Sequence, residues 1–319
     1  MSEPAIRTEG LTKYYGGFCA VDHLDLRVSD GALFGFIGPN GAGKSTTIRM
    51  LCGLLKPTSG AAFVKGVDVV RHPREVKRMV GYMPELFGTY DRMRVWEYLD
   101  FFCAAYRMPK PKRREQIEKV LHLAGAAYMR DYYVGTLSKG MRQRVAIAKT
   151  LVHDPDVLFL DEPTSGLDPM ARIEIRGLLK KLKGLGKTTL ISSHILPELA
   201  AICDEIAIIE KAKLLAMGPM RQIMSEIRQT RQVHLQLLGR ATEAARLLEE
   251  NGVSNVRVVQ NMVQFEFQGD DARAAELLKL LVENSFEVCW MSEVEADLEE
   301  VFIRVTGRAG LTEAARGKR

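Results

Sequence analysis

Short unbroken apolar runs alternate with stretches of helical periodicity through the first two thirds of the chain. LFGFI (33–37), VLFL (157–160), TTLIS (188–192) and EIAII (205–209) have the length and continuity of strands buried on both faces. Leu24, Leu26 and Val28 alternate with polar residues, which predicts a half-exposed antiparallel strand near the start. Residues 95–106 and 113–125 read as helices with no strand between them, a helical insertion in an α/β sheet domain. From about residue 230 the pattern changes. Val233, Leu235 and Leu237 alternate, 241–250 is helical, and 255–259 and 262–267 are strands. A helix over 271–283 and a strand over 286–290 complete the order βαββαβ, that of a ferredoxin-like unit. A closing helix places Leu298, Val301, Phe302 and Val305 at i, i+3, i+4 and i+7, and the polar tail 307–319 is expected to fray.

These patterns divide the chain into an α/β domain over 1–222, with its helical part at about 90–150, and a small α+β domain over 230–306. The 46% apolar and 27% charged residues are ordinary globular usage, which excludes a disordered or fibrous chain. The net charge of +5 shows no concentrated basic stripe, so no nucleic-acid partner is expected. Its densest cluster, RMPKPKRR from Arg107, reads as a solvated loop and helix start. The five cysteines are scattered, with no CxxC pair, and read as reduced packed thiols without a metal site. No uncharged apolar stretch approaches the ~18 residues that a bilayer span needs. The first ten residues carry an early acid and no apolar core, so a soluble cytoplasmic protein is expected.

Two motifs carry chemistry. GPNGAGKS (38–45) fits G-x-x-x-x-G-K-[ST] and stands between a strand and a helix with Ile48, Leu51, Cys52 and Leu55 on one face. Gly38, Gly41 and Gly43 let backbone N–H groups turn inward as an anion nest at a helix N-terminus. Lys44 reaches the β- and γ-phosphates of a nucleotide in such a loop, and Ser45 ligates Mg²⁺. In VLFLDE (157–162), Asp161 emerges at the end of a buried strand, where it can hold Mg²⁺. Glu162 follows, placed to orient or deprotonate an attacking water.

With these motifs the chain resembles the ATP-binding subunit of ABC transporters over residues 4 to about 220. LSKGM (137–141) is similar to the signature LSGGQ, and EPTSGLD (162–168) to the Walker B glutamate running into the D-loop. His194 in ISSH stands at the switch histidine, and Tyr15 in KYYGG at the aromatic that stacks on adenine. The resemblance implies a P-loop NTPase fold: a mixed sheet core, an antiparallel β subdomain and a helical insertion. It implies ATP and Mg²⁺ as cofactors, with ATP bound by Tyr15, Gly38, Pro39, Asn40, Gly41, Ala42, Gly43, Lys44, Ser45 and Thr46, and the metal by Ser45 and Asp161. Glu162, His194 and Lys44 are the implied catalytic residues. Ser138, Lys139, Gly140 and Met141 of one copy complete the γ-phosphate site of another, and Asp168 supports the crossing D-loop. A homodimer follows from that arrangement.

Two departures stand out. Lys139 and Met141 replace Gly and Gln of the signature, while Ser138 and Gly140, which make the phosphate contacts, are intact. Glu85 stands where most relatives carry the Q-loop glutamine, which leaves open whether that residue coordinates Mg²⁺. The ferredoxin-like region and the closing LEEVFIRVTG (298–307) resemble the bacterial exporter type, whose permease is a separate integral-membrane polypeptide. Members export drugs, antibiotics, sodium or polysaccharides, and the subunit sits on the cytoplasmic face of the plasma membrane. Two alternatives fit less well. A ribosome- or DNA-acting ABC ATPase normally has two cassettes or a long coiled coil, whereas this chain has one cassette and no sustained heptads between Lys44 and Leu137. An inactive regulatory cassette conflicts with intact Lys44, Asp161, Glu162 and His194.

Overall fold

The computed structural model describes residues 3–86, 88, 90–220, 222–223 and 230–294. The chain separates into two compact units, 1–220 and 221–319.

In the first unit, the apolar runs assemble a mixed sheet. Within the described residues its strands are β4 (Leu33–Ile37), β7 (Val80–Met83), β8 (Val157–Asp161), β9 (Thr188–Ser193), β10 (Glu205–Glu210) and β11 (Lys213–Pro219). Their order is β11-β10-β4-β9-β8-β7, parallel from β10 to β7, with β11 antiparallel at the edge. Every residue of β4, β8 and β9 is buried, as a parallel sheet covered on both faces requires. Phe34, Phe36 and Phe159 fill the core against helix α1 (Lys44–Leu51).

A second, antiparallel sheet contains β1 (Ile6–Tyr15), β2 (Phe18–Leu24), β3 (Arg27–Val28), β5 (Ser59–Val64) and β6 (Val67–Asp68). Here the structure corrects the expected strand through Leu24, Leu26 and Val28. Leu24 ends β2, Leu26 lies between the two strands and Val28 belongs to β3. All three are buried while Asp25 and Arg27 between them are exposed, so the half-exposed alternation holds and only the continuity of the strand fails. The Thr8 hydroxyl accounts for the break: it donates to Leu24 O at 2.7 Å and accepts from Leu26 N at 2.7 Å, satisfying backbone groups where the chain turns. A short helix α2 (Pro73–Met79) leads into β7.

The helical insertion contains α3 (Val95–Ala105), α4 (Lys110–Leu123) and α5 (Lys139–Leu151). Helix α4 begins three residues earlier than its periodicity suggests, because Pro109 and Pro111 favour a helix start. Beyond α5, His153 joins three elements. Its ring stacks on Tyr106 at the end of α3, with centroids 3.9 Å apart, and its Nε2 lies 3.0 Å from Val80 O on β7. Burial is the main cause that pulls its pKa below the ordinary histidine value, with Lys187 adding to it; Asp154 and the Val80 carbonyl oppose. The unfolded chain therefore binds this proton first. The neutral ring's contribution to stability is complete above the ordinary pKa near 6.5 and is lost as pH falls through it. The thermal midpoint is expected to fall between pH 8 and pH 5 more steeply in the native chain than in His153→Phe. Equal slopes would show that another group controls the acid limb.

Helix α6 (Pro169–Gly184) follows β8, and α7 (Leu196–Ala200) follows β9. Asp168 caps α6, its Oδ1 accepting from Ala171 N at 2.9 Å, and Pro169 occupies the first turn.

The second unit contains β12 (Thr230–Leu237), α8 (Ala241–Glu250), β13 (Ser254–Val259), β14 (Met262–Gln268), α9 (Asp271–Glu283) and β15 (Val288–Val294). Its antiparallel order, β13-β14-β12-β15, is ferredoxin-like. Val233, Leu235, Phe265 and Phe267 alternate onto the face covered by Leu248, Leu277 and Leu281. The last strand begins at Val288 rather than at Phe286, which is buried as part of the same core. The expected closing helix, with Leu298, Val301, Phe302 and Val305, and the tail 307–319 lie outside the described residues.

Candidate active site

Buried β4 ends at Ile37 and delivers the glycine-rich loop to the sheet's C-terminal edge. Gly38 must be glycine: a Cβ there would stand 2.3 Å from Ile209 O. Gly43, the N-cap of α1, has φ +107° and would place a Cβ 2.4 Å from Ala20 O. Lys44 is only 5% exposed. Its ammonium donates to Gly38 O at 2.6 Å and Pro39 O at 3.2 Å, so the loop folds over the lysine.

A cleft of about 390 Å³ opens over this loop, lined by Tyr15, Phe18, Ala20, residues 39–46, Glu85 and Glu162. Tyr15, half-exposed with the Lys13 ammonium 5.3 Å from its ring centre, forms one wall. Glu85 is exposed on another side. Below, the Cys52 thiol is fully buried and its pKa is pushed well above the usual value, chiefly by burial, which leaves it inert.

Asp161 and Glu162 are both buried at the end of β8. Ser192 on β9 ties them together: its Oγ donates to Asp161 Oδ1 at 2.5 Å and accepts from Glu162 N at 2.9 Å. Glu162 has φ +50°, in the left-handed region that a non-glycine residue rarely occupies. Its Oε2 lies 2.9 Å from His194 Nδ1. Its Oε1 is 3.4 Å from Lys44 Nζ and makes no hydrogen bond. Lys44 and Glu162 thus line one cleft, with His194 in direct contact with Glu162 and Asp161 joined to it through Ser192.

The signature residues stand on α5. Ser138 is its N-cap, with Oγ accepting from Met141 N at 3.3 Å. Gly140 lies so near α6 that a Cβ would approach that of Ala171 to 3.1 Å. The Lys139 ammonium lies over Gly166, 2.2 Å from where a Cβ would stand. Ser138 and Lys139 face solvent away from the cleft lining described above. Three contacts were not evident from sequence. Ser192 bridges Asp161 and Glu162, Gln143 Nε2 donates to Pro163 O at 2.6 Å, and Thr164 Oγ1 donates to Glu198 at 2.5 Å.

The residues present fit a magnesium nucleotide: glycines at 38 and 43 that leave no room for a side chain, a buried ammonium under the loop, the Ser45 hydroxyl in the cleft lining, and the buried Asp161 carboxylate at the end of β8. Among the described residues no helix is long and apolar enough to cross a membrane.

The pattern of the ABC transporter family matches residues 21–165, and that of the ATP-binding protein DrrA1-3-like C-terminal domain matches residues 218–306. The probable multidrug ABC transporter ATP-binding protein YbhF of Escherichia coli is 39% identical over 216 residues, covering 68% of this chain and 37% of that protein. The chain therefore spans little more than a third of YbhF. The bacitracin transport ATP-binding protein BcrA of Bacillus licheniformis is 36% identical over 304 residues, covering 95% of this chain and 97% of that protein. Among solved structures, the dimeric MJ0796, a bacterial ABC transporter cassette, aligns with a TM-score of 0.62 at 26% identity over 68% of this chain and 99% of its own.

Proposed function

The chain belongs to the ABC transporter ATP-binding family, and on that premise we propose that it hydrolyses ATP as a homodimer to power export through a separate membrane permease. The observation that carries this reading is Glu162, which lines the cleft floored by the glycine loop and meets Lys44 and His194 while Ser192 joins it to Asp161. The near end-to-end match to BcrA, named for bacitracin transport, supports a transport role, and the dimeric MJ0796 cassette supports the dimer.

In this reading the loop N–H groups and Lys44 hold the β- and γ-phosphates, and Tyr15 stacks on the base. Ser45 and Asp161 would hold Mg²⁺, which when bound would supply positive charge to offset that of the phosphates. Glu162 orients the attacking water and accepts its proton through the unbonded Oε1, while His194 steadies the carboxylate from Oε2 and faces the γ-phosphate. Electrostatic positioning carries the rate. Ser138, Lys139, Gly140 and Met141 reach the nucleotide of a second copy, with Asp168 holding the D-loop between. Glu85 lines the cleft, close enough to its mouth to respond to the bound nucleotide. The subunit is held on the cytoplasmic face of the membrane by its permease.

The docking surface for that permease is the stretch from Glu85 to Trp96 with α3. Leu86 is 89% exposed and Tyr90 50%, and Tyr90 packs edge-on against Phe101 at 5.6 Å, so an apolar face is presented to solvent. Phe87 lies outside the described residues. Cysteines placed at Gly88, Tyr90 or Arg92 are expected to crosslink to cytoplasmic loops of a co-expressed permease. Crosslinks that form only from residues 230–294 would overturn this assignment.

A further inference from the structure

The left-handed backbone at Glu162 has to be held on both sides. A residue in such a region costs on the order of 1–3 kcal/mol and persists only when its surroundings over-determine it. Upstream, Ser192 Oγ accepts from Glu162 N at 2.9 Å. Downstream stands Pro163, which has no N–H and can anchor the chain only through its carbonyl. Gln143 Nε2 donates to that carbonyl at 2.6 Å, and both residues are buried. The amide is otherwise out of place. The remaining buried positions of α5 are Val145, Ala146, Ile147, Ala148, Thr150 and Leu151, and a buried amide is costly unless it is bonded.

We infer that Gln143 is a positioning residue for hydrolysis: through the Pro163 carbonyl it fixes the backbone from which Glu162 reaches the cleft. The role rests on the proposed function of Glu162. It also joins two halves of the chemistry. Ser138 begins the same helix, five residues before Gln143, so the helix that presents the signature also sets the glutamate of its own copy. The contact is reinforced where Lys139 lies over Gly166, where Gly140 meets Ala171, and where Arg144 pairs with Glu174. Because the phosphate loop belongs to other elements, Gln143 governs the rate of hydrolysis and leaves ATP affinity unchanged.

Two variants of the full chain test this. Gln143→Met keeps the length and volume and removes the donor. Its kcat is expected to fall about tenfold, matching the loss of one neutral hydrogen bond of about 1.4 kcal/mol, with KM for ATP within about twofold of the native value. Gln143→Glu cannot donate while ionised but donates to Pro163 O once protonated. Its kcat relative to the native chain is expected to rise as pH falls from 8 to 6. A methionine variant within twofold of native kcat, a parallel change in kcat and KM, or a glutamate variant that tracks the native pH profile would each overturn the inference. If Gln143→Met fails to fold, the ratio measured with Gln143→Glu decides alone. Failure of the broader reading is distinguishable: a native chain without ATPase activity, or a Glu162→Gln variant as fast as native, removes the function of Glu162 itself. Native hydrolysis that depends on Glu162 but not on Gln143 removes only the positioning role.

Discussion

Glu162→Gln is expected to retain ATP binding and to slow hydrolysis by about 10²–10⁴-fold, the usual contribution of a positioned general base. The geometry favours a loss confined to chemistry. The side chain is 7% exposed and engaged at one oxygen by His194, which leaves Oε1 as the acceptor facing the cleft. An amide of the same shape keeps a carbonyl oxygen for Lys44 and can donate to His194, so the loop and the nucleotide seat remain. It removes the charge and basicity needed to take a proton from water. With hydrolysis slowed, the ATP-bound homodimer should accumulate in gel filtration when ATP is present and vanish with ADP. Native turnover in the variant would remove Glu162 from the mechanism. Slow turnover with lost ATP binding would show instead that the carboxylate holds up the cleft.

The contrast between what sequence did and did not disclose follows from how each feature is encoded. The nucleotide loop was legible because its requirements are local: adjacent glycines, a lysine and a serine must follow one another in the chain. VLFLDE was legible for the same reason, an apolar strand followed directly by its acids. The left-handed backbone at Glu162 and the contacts that hold it were not. Ser192 and Gln143 approach it from β9 and α5, and nothing within either segment announces the meeting. Among the elements, β1 escaped notice because two of its buried positions are threonines. Thr8 and Thr12 are 3% and 2% exposed, their hydroxyls satisfied by nearby backbone, so the strand lacks the apolar alternation that marks such elements. The ferredoxin-like order of the second unit was readable because Val233, Leu235, Val263, Phe265 and Phe267 keep strict alternation. Its last strand slipped by two residues because Phe286 packs into the core without pairing in the sheet.

Lys44→Met is expected to abolish hydrolysis and also to destabilise the nucleotide-free protein by about 3 kcal/mol, the scale on which breaking one side of a buried ion pair is felt. Lys44 and Glu162 are 5% and 6% exposed, and their charged atoms are 3.4 Å apart. At that separation the pair lacks close hydrogen-bond geometry, so its direct attraction is modest. The larger effect comes from the carboxylate left behind, which is buried and can reach water only through the cleft. Methionine also gives up the bonds to Gly38 O and Pro39 O, and that loss is independent of Glu162. A double-mutant cycle separates the two. Glu162→Gln added to Lys44→Met should recover about 1–2 kcal/mol of stability by neutralising the stranded acid, while hydrolysis stays absent. Denaturant unfolding of the native chain, both single variants and the double supplies the four free energies. If they add within about 0.5 kcal/mol, the carboxylate does not depend on the lysine. The buried charge would then be balanced by His194 and water entering the cleft, and Lys44 would serve the phosphates alone.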